Sequence, residues 1–68
     1  MKIVVRSQRR GEPGRRIMFE YESVGPTVFA RVGEEIEHNE QLHHVVRVTH
    51  VIDKNPNKCR VEILCREV

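Results

Sequence analysis

The stretch that decides the fold is Leu42–Val68, which reads LHHVVRVTHVID, then KNPN, then KCRVEILCREV. Its two outer runs, Leu42–Asp53 and Lys58–Val68, are rich in β-branched residues and flank Lys54–Asn57. Those four central residues are typical of a turn, because Asn tolerates left-handed backbone conformations and Pro presets φ. The stretch therefore predicts an antiparallel β-hairpin at the C-terminal end of the sequence.

The turn also predicts the register of this hairpin. Pairing Asp53 with Lys58 puts four further pairs on one face, and all but His50 in them are apolar or thiol-bearing: Val46 with Cys65, Val48 with Ile63, His50 with Val61, and Ile52 with Cys59. A shift of one residue would destroy this sorting. We therefore predict that this face packs in the core.

The two cysteines are predicted to be free, buried thiols. If Cys59 and Cys65 lie on one extended strand, they are roughly 20 Å apart. A disulfide needs Cα atoms within about 7 Å of each other. Free thiols are typical of a reducing compartment. Because the sequence also lacks a secretory h-region and an apolar run long enough to span a bilayer, we predict a cytoplasmic protein.

The N-terminal part predicts a second hairpin. Lys2–Ser7 alternates as a short strand with Ile3 and Val5 on one face, and Arg16–Glu22 alternates in the same way. On the second strand the face predicted to point inward carries Ile17, Phe19 and Tyr21. Residues 8–15 between the strands hold two glycines and a proline among polar side chains, which indicates a loop.

The middle of the chain leaves alternatives open. Thr27–Val32 fits a brief strand or a linking segment, and Arg31–Ile36 fits a turn that leads into a further strand. Glu34–Val46 fits a strand, a turn near Asn39 and another strand, or a single helix. The helix would put polar residues where its apolar stripe should continue, so we favour the strands.

The predicted fold class is accordingly all-β: a small five-stranded antiparallel barrel, one domain over residues 1–68, with a C-terminal hairpin. The alternative is an α+β fold with one short helix in 34–46. The order of a Gly-containing turn at Arg31–Ile36, a tight turn, the Val-rich strand Val45–Val48 and a final hairpin resembles small SH3-like β-barrels. This resemblance implies a fold and carries no functional residues. Curling also protects the edges of a small sheet.

Size and composition exclude several classes of protein. The chain has 68 residues, a net charge of +2 and no tryptophan. It is one domain, and it has no apolar run near the ~20 residues that span a bilayer. Its N-terminus is too short in apolar residues for a secretory signal. A stand-alone chain of this size would suit a bacterial or phage accessory protein.

The sequence predicts no metal site, no cofactor and no catalytic site. The four histidines (His38, His43, His44, His50) and two cysteines lack the spacing of a zinc site. We expect His50 to be partly buried and the other three to be exposed. A nucleophile needs a neighbouring base, and the nearest such set is Cys59 with His50 and Asp53. Asp53 is predicted to project from the opposite face, so we predict that the protein is not an enzyme.

Charge is strongly segregated along the chain. Residues 1–16 carry a net charge of +5 and residues 17–40 a net charge of −5. Opposite poles suit a protein partner or self-association. The alternative is nucleic-acid binding through the Arg-rich loop 8–16, although few aromatic rings exist to stack on bases. We predict a non-enzymatic binding module, with these candidate macromolecule-binding residues: Arg6, Arg9, Arg10, Arg15 and Arg16.

Overall fold

The alternating segments form strands throughout the described part of the chain. The computed structural model describes residues 2–9, 11–22 and 30–68, and these contain five strands: β1 (Lys2–Gln8), β2 (Arg16–Glu22), β3 (Glu35–His38), β4 (Gln41–Val51) and β5 (Arg60–Glu67). The helical structure in that part is a 3₁₀ turn at Pro56–Lys58. The all-β prediction is confirmed, and the alternative helix in 34–46 is wrong.

The strands form one sheet in the order β2-β1-β5-β4-β3. The prediction of a purely antiparallel sheet is wrong, because β1 and β5 pair in parallel from Lys2 opposite Arg60 to Gln8 opposite Arg66. The apolar run Ile3–Val5 is buried throughout, which is typical of a strand with neighbours on both sides. Local sequence patterns indicate pairing between strands that follow one another in the chain. They do not indicate pairing between the first and last of the described strands, β1 and β5.

One residue of that run is buried on the face away from the core. Val4 lies between Glu20 on β2 and Glu62 on β5. These carboxylates pair with Lys2 at 3.2 Å and with Arg6 at 3.3 Å, respectively. The aliphatic stems of paired charged residues can cover an apolar neighbour, which explains why Val4 is buried on this side.

Two β-bulges bend the sheet at the same level. Val5 pairs with Phe19 and Arg6 with Ile17, so Met18 is an extra residue on β2. Val45 pairs with Cys65 and Arg47 with Leu64, so Val46 is an extra residue on β4. A bulge bends its strand and increases the twist. The sheet curls into a half-barrel with a concave face and an outer face.

The concave face holds the core. Its buried cluster consists of Ile3, Val5, Ala30, Ile36, Val45, Ile63 and Cys65, with Met18, Phe19, Val48 and Val61 packed against it. The predicted inward face of β2 is partly wrong, because the bulge at Met18 leaves Ile17 50% exposed. Phe19 does pack inward as predicted.

The predicted register of the C-terminal hairpin is confirmed from Arg47 to Val51 and wrong before it. The bulge places Val45 opposite Cys65, where Val46 was expected. Val45 is fully buried, whereas Val46 is 37% exposed. The same shift buries His43, while His50, which we expected to be partly buried, is exposed.

The turn of this hairpin is longer than predicted. The β4–β5 ladder ends with Val51 opposite Arg60, so Asp53 and Lys58 are not a ladder pair. Ile52 is 80% exposed and does not reach the core. The Asn55 side chain instead caps the 3₁₀ turn by accepting a hydrogen bond from the Asn57 backbone N–H at 3.0 Å.

The segment before β4 forms the predicted turns. Asn39 and Glu40 both have positive φ, 51° and 65°, and make the two-residue connection between β3 and β4. Before β3, Gly33 has φ 94°, and the Glu34 N–H donates to the Arg31 carbonyl at 3.1 Å. Of the predicted segment Thr27–Val32, residues 27–29 lie outside the described residues, and residues 30–32 are not in a strand.

Candidate functional site

The structure divides the predicted arginine cluster between two places. Arg9 and Arg16 line a pocket at one end of the concave face. Arg6 and Arg15 line a groove that also includes Arg47. Arg10 lies outside the described residues. The four candidates among the described residues therefore line two separate sites.

The first place, which we call the polar pocket, is lined mainly by polar side chains, among them Ser7, Arg9, Arg16, His43 and Glu67, and has a volume of about 520 Å³. Its arginines are compensated inside the protein. Arg16 is 2.9 Å from the Glu12 carboxylate, and Arg9 lies 3.9 Å from Glu12 and 3.9 Å from Glu67. These pairs leave the pocket arginines little net charge to offer an anionic partner.

A buried hydrogen bond lies at the floor of this pocket. Ser7 Oγ and His43 Nδ1 are 2.7 Å apart, and both residues are buried. Ser7 is on β1 and His43 is on β4, with β5 between them in the sheet. The bond therefore spans an intervening strand, which requires the curl of the half-barrel. It joins two strands that are not sheet neighbours.

Burial also changes the titration of this histidine. Desolvation lowers the pKa of His43 below its ordinary value of 6.5 and is the largest cause. The Glu67 carboxylate opposes this shift, and His38 adds to it. The imidazole is therefore neutral at neutral pH. A neutral imidazole can accept the proton of a neighbouring hydroxyl group. Here both residues are buried, so we interpret the pair as a structural contact.

Sequence reasoning missed His43 for a definite reason. Strand alternation carried back from Arg47 puts residue 43 on the outer face, and the bulge at Val46 reverses that assignment. The local sequence Val45-Val46 is apolar on both positions, so it gives no signal of the extra residue.

The second place, which we call the arginine groove, lies on the outer face and has a volume of about 370 Å³. It is lined by Arg6, Arg15, Arg47, Thr49, Glu62, Ile63 and Leu64. Arg6 pairs with Glu62 at 3.3 Å, and its buried Nε has no hydrogen-bond partner within the described residues. In the same part of the chain, the side chains of Arg15 and Arg47 make no ion pair.

The two bulges position this groove. Arg6 on β1 and Arg47 on β4 both lie opposite Leu64, one on each side of it. One bulge interrupts the ladder next to Arg6, and the other immediately precedes Arg47. Bulges often re-aim side chains beside functional sites. The result is an apolar Leu64 between two guanidinium groups, with Arg15 nearby.

The remaining chemically active residues are used within the fold. The Asp53 backbone N–H donates to the Cys59 sulfur at 3.4 Å, so that thiol contacts its own loop. Burial raises the pKa of the Cys65 thiol, which keeps it protonated. Both cysteines are free. Across residues 2–9, 11–22 and 30–68, no group of three or more His, Cys, Asp or Glu side chains could hold a metal ion.

The described aromatic surface offers little for stacking on bases. Phe19 packs against the core, and its ring centroid lies 5.0 Å from that of His38.

No helix in the described part of the chain is long and apolar enough to cross a membrane. No protein-family model, curated protein or solved structure matches the chain.

Proposed function

We propose that the protein is a small non-enzymatic binding module that holds an acidic, extended segment of a partner protein in the arginine groove. The observation that carries this proposal is the pair Arg15 and Arg47, which has no internal ion-pair partner in the described residues. Arginine forks bind carboxylates with two parallel hydrogen bonds. Leu64 supplies an apolar contact between Arg6 and Arg47.

A protein partner fits the groove better than a nucleic acid. Nucleic-acid affinity comes mainly from many phosphate contacts, which need many free cations. Two of the loop arginines predicted for that purpose, Arg9 and Arg16, already pair with Glu12. Phe19 is committed to the core, so it is not presented to bases. These features favour a short acidic peptide segment over a long polyanion.

The same proposal includes three further points. They are a relationship to SH3-like barrels, a cytoplasmic location, and an accessory or regulatory role in a bacterium or phage. The curled five-stranded sheet supports the first of these. Two free thiols, Cys59 and Cys65, support a reducing compartment.

Fluorescence anisotropy would test the proposal. The probes are a labelled peptide that alternates Glu and Leu, and single-stranded and duplex DNA of matched charge, each titrated with the full chain at low and high salt. We expect the peptide to bind more tightly than either DNA. Arg15→Gln/Arg47→Gln should weaken peptide binding at least ~10-fold, which corresponds to about 1.4 kcal/mol.

The matched control is Arg9→Gln/Arg16→Gln, which removes the same charge from the polar pocket. This control should bind the peptide like the unmodified chain. Equal losses in both double variants would show nonspecific attraction and overturn the groove assignment. Preferential binding of DNA that depends on Arg9 and Arg16 would replace the proposal with the nucleic-acid alternative.

A further inference from the structure

The C-terminal part of the acidic segment, residues 34–40, lies at one exposed edge of the sheet. β3 is an edge strand, and Glu35, Glu37 and Glu40 are all exposed there. None of the three makes an ion pair within the described residues. We call these three residues the acidic edge. Residues 34–40 contain four glutamates and no Lys or Arg.

The acidic edge faces the same side of the sheet as the arginine groove. Ile36 is buried in the core, and side chains alternate between the two faces of a strand. Glu35 and Glu37, its neighbours, therefore project toward the outer face. Leu42 lies opposite Glu37 and is also exposed. The outer face thus carries uncompensated positive and negative groups, together with apolar side chains, at separate positions.

Building on the proposed function, we propose that the segment held in the arginine groove is the acidic edge of a second copy of this chain. Two copies would meet outer face to outer face. In a two-fold arrangement the groove of each copy meets the acidic edge of the other, so the contact is made twice and the assembly closes as a dimer.

The charges favour this arrangement over the simplest competing one. Edge-to-edge pairing of two β3 strands would place the acidic edges of both copies together, and like charges across such a contact repel. Contact with the groove places Glu35 and Glu37 against Arg15 and Arg47. Exposed acidic side chains on an edge strand thereby block one mode of association and direct another.

Charge reversal tests the partner directly. Sedimentation velocity of the full chain at low salt should show a dimer that dissociates at high salt, since exposed charge pairs are screened. Arg15→Glu/Arg47→Glu and Glu35→Lys/Glu37→Lys should each raise the dimer dissociation constant at least ~10-fold, about 1.4 kcal/mol. An equimolar mixture of the two variants should restore the dimer, because each reversed groove then faces a reversed edge.

The outcomes separate this inference from the function on which it rests. Circular dichroism of each variant verifies that it is folded. A wild-type chain that stays monomeric, or a mixture that fails to associate, overturns the self-association. The edge-reversed variant keeps an intact groove, so peptide binding by that variant with no dimer in the wild type would leave the proposed function standing. Loss of peptide binding there would overturn the proposed function as well.

Discussion

The polar pocket and the arginine groove both contain arginines from the N-terminal part of the chain, yet their electrostatics differ. In the polar pocket, Arg9 and Arg16 converge on Glu12, and Arg9 also approaches Glu67. In the groove, Arg15 and Arg47 have no such partner in the described residues. A count of arginines along the sequence treats all of them alike. The difference shows that binding capacity depends on which charges the fold leaves uncompensated.

The two faces of the sheet also differ in what they contribute to stability, and adjacent residues of β5 test this difference most strongly. Ile63 is buried on the concave face, and Leu64 is partly exposed on the outer face. Ile63→Ala should reduce the free energy of unfolding by about 2–5 kcal/mol through lost burial and a residual cavity. Urea denaturation followed by circular dichroism measures the change.

Leu64→Ala is the matched control on the same strand. It should cost no more than about 1 kcal/mol, because a half-buried side chain loses less transfer free energy. A domain of this size is stabilised by roughly 3–10 kcal/mol, so only the first substitution threatens the fold. Equal costs at the two positions would contradict the assignment of an inner and an outer face.

The buried Ser7–His43 pair should give the second largest effect. Ser7→Ala leaves His43 Nδ1 without its partner at 2.7 Å. An unsatisfied buried polar atom costs about 1–3 kcal/mol, so the free energy of unfolding measured by urea denaturation should fall by that amount. Ser7→Thr keeps a hydroxyl and should lose less. If Ser7→Ala were neutral, the hydrogen bond would not contribute to holding β1 and β4 together.

The same pair predicts a pH dependence. Because burial lowers the pKa of His43 in the folded state, the unfolded chain binds this proton more readily. The stabilisation is fully present above the ordinary pKa of 6.5 and is lost as the pH falls through the lower folded pKa. Urea midpoints measured from pH 8 downward should therefore decrease below that ordinary pKa. His43→Gln should remove this decrease, whereas His50→Gln at an exposed position should retain it.

The turn that holds the acidic edge in place should respond by a smaller amount. Glu40 has φ 65°, a left-handed conformation that costs a non-glycine residue roughly 1–2 kcal/mol. Glu40→Gly should raise the free energy of unfolding by about 1 kcal/mol, since Asn-Gly suits a two-residue hairpin turn. Glu40→Ala removes the same charge without relieving the strain, and it should give no gain. A gain in both variants would identify charge repulsion as the cause.

The smallest effect is expected from the compensated arginines. Arg9 and Arg16 are exposed and their ion pairs are open to solvent. Exposed ion pairs contribute roughly 0–1 kcal/mol, so Arg9→Gln and Arg16→Gln should each change stability by less than about 0.5 kcal/mol. Thermal melts at low and high salt measure this. A larger loss for either variant would show that these exposed ion pairs stabilise the fold more than their solvent exposure indicates.

Much of the fold follows from local patterns in the sequence. Alternation predicts β1, β2 and β5, and polar residues at Asn39 and Glu40 correctly favour a turn over a helix. The register from Arg47 to Val51 follows from the same alternation. Each of these depends on neighbours in sequence, which single-sequence patterns report directly.

The errors have two main physical origins, a β-bulge and a pairing between distant segments. A β-bulge adds a residue without changing composition, so it reverses the face of every residue beyond it. That is why Val46 was assigned to the core in place of Val45, and why His43 was expected to be exposed. His50 keeps its predicted partner Val61 and is exposed near the end of β4, outside the buried cluster. The parallel pairing of β1 with β5 was missed because it joins distant segments. Among the groove residues, Arg6 and Arg15 were predicted to bind a macromolecule. Arg47 was not, because it comes near them only through the placement of β5 between β1 and β4.

The parallel pairing of β1 with β5 also has a consequence for how the chain acquires its structure. The centre of the sheet joins Lys2–Gln8 to Arg60–Glu67, so β1 must wait for residues 60–67 to be synthesised before its second neighbour exists. Contacts between such distant segments slow folding, because the intervening loop must close first. During synthesis, the apolar run Ile3–Val5 therefore has only β2 to pair with, and its other edge lacks its native partner until β5 has been made.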